Sequence, residues 1–183
     1  MTPEGSRIAL LRAINLGARN RVAMPELRAL LTRLGYEDVA TLVQSGNVVL
    51  TTTRTPAELG AELQREIAAA FGVDTPVIVR TRDELAAVVT QNPLPGAVAD
   101  PKRFQVSFLS EAPDAAVVRA LESADLAPEQ VAVRGREVYA LHPNGIHRSP
   151  LARLLGDRRL GVTATARNWS TVTKLLELAD RSS

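Results

Sequence analysis

The 183-residue chain carries 22 basic and 20 acidic side chains for a formal net charge of +2, with 45% hydrophobic and 23% charged residues. That is the balance of an ordinary globular protein, and so small an excess of positive charge does not by itself predict nucleic-acid binding. There is no cysteine, which excludes thiol catalysis, thiolate metal sites and disulfides and leads us to expect a reducing, cytoplasmic setting.

No apolar run approaches about 18 residues, and residues 1–7 lack the apolar core of a signal peptide, so neither a membrane span nor export is expected. Residues 7–14 read as a first strand, ending in the apolar run Leu10, Leu11 and Ile14. A polar, glycine-bearing loop at 15–21 leads to a helix over 25–34, with Pro25 at its first position and Leu27, Leu30, Leu31 and Leu34 on one face. Gly35 suits a left-handed stop. Residues 39–43 and 48–50 read as two strands around the tight turn 44–47. Thr55 and Glu58 then form a capping box for a second helix with Leu59, Leu63, Ile67, Ala70 and Phe71 on its apolar face, ended by Gly72. Residues 75–79 read as a fourth strand, with Pro76 at its start on an edge. The order so far is β-α-β-β-α-β.

A second capping box at Thr81 and Glu84 opens a helix through Val89, which the Asn-Pro-Leu-Pro-Gly run at 92–96 breaks. Beyond it the pattern repeats. A strand is expected over 104–109, then a helix over 113–124 carrying Val117, Val118 and Leu121. Two strands, 131–133 and 138–141, flank the turn 134–136. A short helix marked by Leu151, Leu154 and Leu155 ends at Gly156, and a last strand covers 161–166. Arg7 aligns with Arg103 and Gly46 with Gly135, so each half matches the split βαβ plan of two helices on one face of a four-stranded antiparallel sheet. Asn168 caps a final helix with Trp169, Val172, Leu175, Leu176 and Ala179 as its apolar stripe.

The runs R-A-I-N-L-G-A-R-N, M-P-E-L-R-A-L-L and L-V-Q-S-G-N-V-V-L, with A-R-N-W-S-T-V-T-K-L-L near the end, resemble the bacterial domain-of-unknown-function 1697 family. The likeness runs from about Arg7 to Ala179, and its most specific motifs are residues 44–47 and 167–169. It implies two ferredoxin-like halves and no agreed activity, and it brings no catalytic residue to this chain. Family members often carry glycine where this chain has Ala13 and Ala18. Periodicity and resemblance together lead us to expect an α+β chain of two tandem ferredoxin-like (βαββαβ) halves with additional helices. Residues 1–96 would form the first half with its following helix, and 97–183 the second with the C-terminal helix.

Signals for chemistry are sparse. The strand, polar loop and helix around residues 15–21 have the right order for anion capture at a helix start, but neither G-x-x-x-x-G-K-[ST] nor G-x-G-x-x-G occurs. Asn15 and Asn20 read more readily as bonding their own loop backbone. Gln44, Ser45, Gly46 and Asn47 make a good tight turn, although a turn does not require Gln44. His142 and His147 lack metal spacing and read as surface-loop histidines, and Ser149 before a proline suits a helix start better than a nucleophile's elbow. The many arginines, among them Arg12, Arg19, Arg21, Arg134, Arg136 and Arg167, are first of all solvated charge, and aromatics at 3% are too few for single-strand stacking.

The leading expectation is a binding protein for a small ligand bearing a phosphate or carboxylate. Its candidate residues are Arg12, Asn15, Arg19, Asn20, Gln44, Ser45, Asn47, Arg167, Asn168 and Lys174, with the free N–H groups at the start of the last helix adding to the grip. A small enzyme using arginine and amide donors without a side-chain nucleophile is the alternative, and a structural or homo-oligomeric module a third. No metal or cofactor is expected, nucleic acid is only a weak candidate partner, and oligomeric state stays open.

Overall fold

A computed structural model describes residues 5–182. The chain is a mixed α+β protein with two four-stranded antiparallel sheets and several helices. The described residues through Ala87, with those from Lys174 onward, make one compact unit, and Val88–Thr173 make the other.

In the first unit, β1 (Gly5–Leu11) pairs with β3 (Asn47–Thr52) and with β4 (Val77–Thr81), while β2 (Glu37–Leu42) pairs with β3. The resulting order is β2-β3-β1-β4. Helices α1 (Met24–Arg33) and α2 (Pro56–Phe71) cover one face. Alternation along the strands decides which side chains meet them. Ala9 and Leu11 of β1, Val48 and Leu50 of β3 and Val79 of β4 join Leu27, Leu30 and Leu31 of α1 and Leu59, Leu63 and Ile67 of α2 in one buried cluster. Burying one such leucine stabilises by roughly 1.5–3 kcal/mol. Ile8 and Leu10, which point the opposite way, are equally buried, so β1 is buried on both faces, the second also holding the buried Ser6 and Arg80.

The expected punctuation of these helices is present. Gly35 takes φ 87°, its N–H donating to Thr32 O at 3.0 Å while that of Tyr36 donates to Leu31 O at 3.2 Å, the paired bonds of a Schellman end. Thr55 and Glu58 close their capping box, and Gly72 ends α2 at φ 66°. Gly60, within α2, has a different reason: a Cβ there would sit 2.9 Å from Val77 O, so the helix can lie this close to β4 only over a glycine. Some expectations shift. Leu34, at the C-cap of α1, is half-buried; Ala70 is exposed and Phe71 half-buried, because α2 turns its Leu59, Leu63 and Ile67 edge to the sheet; and β1 ends at Leu11, because Ala13 and Asn15 adopt left-handed φ values of 50° and 54°.

The second unit repeats the plan with β5 (Phe104–Leu109), β6 (Gln130–Arg134), β7 (Glu137–Leu141) and β8 (Ala164–Asn168) in the order β6-β7-β5-β8. Helix α3 (Arg82–Thr90) precedes it, opened by the expected Thr81–Glu84 box. After a short 3-10 turn (Pro95–Ala99) and β5 comes α4 (Ala115–Glu122). Between β7 and β8 lie two short helices, α5 (Pro150–Leu154) and α6 (Asp157–Leu160), where one was expected. Gly156 ends the first only to precede the second, so the last strand starts later than expected, at Ala164. Helix α7 (Trp169–Arg181) follows β8 directly. Its Trp169, Val172, Leu175 and Ala179 are buried and Leu176 only half so. Trp169 stacks on Phe104 with ring centroids 4.9 Å apart. Among the described residues no helix is long and apolar enough to cross a membrane.

Candidate functional site

The polar loop after β1 and the turn between β2 and β3 come together in the first unit. Asn15 is the tether: its Nδ2 donates to Val22 O and to Gln44 O, each at 2.8 Å, and its Oδ1 accepts from Val22 N–H at 2.9 Å. The amide thus closes its own loop and joins it to the turn. Asn47, fully buried, donates from Nδ2 to Leu42 O and to Ser45 Oγ, both at 3.0 Å. Gly46 seats the turn against β1. Its φ is 74°, a Cβ would lie 2.7 Å from Leu11 Cβ and 2.8 Å from Ile14 Cδ1, and its carbonyl accepts from Leu11 N–H at 2.9 Å.

The backbone here is unusually strained. Ala13, Asn15, Asn20 and Val43 all have positive φ, and a β-branched residue such as Val43 at φ 51° is a genuine outlier. Such conformations persist only where surrounding contacts over-determine them, and they gather at ligand clamps and switch regions. The tether and the buried turn supply those contacts. What they hold outward is Arg19, Asn20, Arg21 and Gln44, all exposed, whose side chains make no hydrogen bond or ion pair among the described residues. Leu16 and Val43, at 71% and 58% exposure, flank the tether. Arg12 is half-buried at the strand end, where its N–H donates to Pro76 O at 3.1 Å, and Ser45 is exposed on the turn.

Arg167 and Asn168 lie on β8, in the other unit. The Arg167 guanidinium is only 8% exposed and donates to Thr165 Oγ1 and Ala166 O, each at 2.8 Å. Burial lowers its pKa to about 10, which leaves it cationic at neutral pH. Asn168 caps α7, its Oδ1 accepting from Thr171 N–H and from Ser170 Oγ at 2.9 Å, while Ser170 N–H donates to Pro101 O at 3.4 Å. The start of α7 is therefore occupied in part by its own chain, with the N–H groups of Ser170 and Thr171 already partnered. Lys174 is exposed on α7.

One polar cluster escaped the sequence. His142 is not a surface-loop residue: it is 1% exposed, with Nδ1 2.8 Å from Ser149 Oγ and 3.2 Å from Glu129 Oε1. An ionised carboxylate only accepts, so Nδ1 carries the proton, and Nε2 is buried without a hydrogen-bond partner. A catalytic relay would place the hydroxyl on one ring nitrogen and the carboxylate on the other. Here both share Nδ1, and the cluster instead pins α5, since Glu129 Oε2 accepts from Leu151 N–H at 2.9 Å and Ser149 Oγ from Ala152 N–H at 2.8 Å. Burial pushes the Glu129 carboxyl up, and the bonds from Ser149, Leu151 and His142 together outweigh it, so the group stays below the ordinary glutamate value. The only local hint was Ser149 before Pro150, which marks a helix start.

Among the described residues no group of three or more histidine, cysteine or acidic side chains could hold a metal. A search of curated proteins found no match. The conserved bacterial protein SP0830 from Streptococcus pneumoniae has a similar structure, with a TM-score of 0.78 and 24% identity over 97% of this chain and 99% of that one, a likeness that shows a shared fold. The model of the family described as protein of unknown function DUF1697 matches residues 5–139, and the chain belongs to that family.

Proposed function

We propose that this is a cytoplasmic binding protein for a small phosphate- or carboxylate-bearing ligand, built from two ferredoxin-like halves, 1–96 and 97–183, that arose by internal duplication. The corresponding strand orders, β2-β3-β1-β4 and β6-β7-β5-β8, support the duplication, and the absence of cysteine supports the compartment. The observation that carries the ligand reading is the strained loop and turn locked together by Asn15, holding exposed Arg19, Asn20, Arg21 and Gln44, whose side chains have no partner among the described residues. Asn15, Gly46 and Asn47 act as the frame. Arg19 and Arg21 supply charge and paired donors, and Asn20, Gln44 and Ser45 fix orientation, with Arg12 at the strand end.

Isothermal titration with inorganic pyrophosphate tests this. The expected result is binding that weakens as salt rises and falls about tenfold in Arg19→Ala at an unchanged melting temperature. Equal affinity in wild type and the Arg19→Ala, Arg21→Ala double variant overturns it. A second reading, a homo-oligomeric module, is favoured by the exposure of Leu16 and Val43 beside the same tether; light scattering on Leu16→Asp reads it directly.

A further inference from the structure

The second unit differs from the first where its fold is thinnest. Between β3 and β4 one helix of 16 residues covers the sheet, but between β7 and β8 the same stretch of plan holds α5 and α6, of five and four residues. Short pieces cover less, and Val117 and Leu154 are left half-buried at the edge of the core. A cavity of about 180 Å³ results, lined by Val117, Ala120 and Leu121 of α4 and by Leu154, Arg159 and Leu160. It opens past Ala120 and Arg159, both exposed, and the Arg159 side chain has no hydrogen-bond or ion-pair partner among the described residues.

Five of the six lining residues are apolar. An enclosed apolar cavity of roughly 150 Å³ takes up a benzene-sized molecule, so by volume this pocket, open on one side, has room for a single ring or a chain of about five to seven carbons. Arg159 is the single charged group among the lining residues, and its guanidinium presents a fork of donors that matches a carboxylate. We propose that this cavity binds a small amphipathic carboxylate, its chain or ring against Leu121, Leu154 and Leu160 and its carboxylate on Arg159. The inference does not depend on the loop and turn of the first unit.

Methyl NMR on the full chain, titrated with hexanoate, hexanamide and acetate, tests it. Hexanoate should shift the leucine methyls of α4, α5 and α6 with a Kd of about 1 mM. Hexanamide should bind roughly two- to fivefold more weakly, as an exposed charge contact allows, and acetate should leave these methyls unmoved. Ala120→Phe, at an exposed position that folding tolerates, should plug the mouth and abolish the shifts. Arg159→Gln should bring hexanoate down to the affinity of its amide. No shift at millimolar hexanoate, equal binding of acid and amide by wild type, or binding that survives Ala120→Phe overturns the proposal.

Discussion

At the scale of single residues, two glycines with the same backbone angle separate conformation from space. Gly46 and Gly17 have φ of 74° and 73°, but a Cβ on Gly46 meets Leu11 and Ile14 under 3 Å whereas one on Gly17 meets nothing within 4 Å. Gly17→Ala should therefore cost only the left-handed penalty, about 1–2 kcal/mol. Gly46→Ala adds overpacking of about 1–3 kcal/mol, so urea unfolding should rank it clearly the worse, and equal losses would contradict the close approach drawn here. Glu129 gives a prediction in pH. Its folded pKa lies below the unfolded value, so its ionised form contributes stability that is complete above about pH 5 and is lost as pH falls through the folded value. Glu129→Gln should be less stable at neutral pH and should lose less on acidification; parallel curves for the two proteins would show that the His142 cluster does not tie α5 down.

At the scale of elements, the first unit's helices were legible because their signals are local. Capping boxes, Pro25 at a helix start, and leucines at helical spacing each act within one turn. The packing they forecast has a measurable size: Leu31→Ala should cost roughly 2–5 kcal/mol, with Thr55→Ala at about 1 kcal/mol as the capping counterpart. An unchanged unfolding midpoint in Leu31→Ala would mean that α1 presents another face. What was not legible depended on distant partners. His142 looked like a loop residue because nothing near it in sequence reveals Glu129 or Ser149 as its buried neighbours, and Gly156 read as an end because a four-residue helix leaves almost no periodicity. The Asn15 tether is the same case, since its partner Gln44 lies 29 positions away. Both segments were singled out in the sequence, where Asn15 already read as bonding its own loop, but only the fold shows that its amide also reaches Gln44, that Asn47 spends its amide on the frame and that Arg167 is buried against Thr165.

At the scale of the whole molecule, a chain with a net charge of only +2 sets Arg19, Asn20, Arg21 and Gln44, whose side chains have no partner among the described residues, on one pinned loop and turn, and that placement, rather than overall charge, makes the case for an anionic ligand. The framework is expected to be rigid before binding, because the buried Asn47 and the Asn15 bonds hold the strained backbone without help from a ligand. Amide chemical-shift mapping during titration with inorganic pyrophosphate tests this most directly. The account predicts shifts concentrated at residues 16–21 and 44–47 that shrink as salt is added and vanish in the Arg19→Ala, Arg21→Ala double variant. Saturating shifts confined to other parts of the chain, or none at millimolar pyrophosphate, would contradict it.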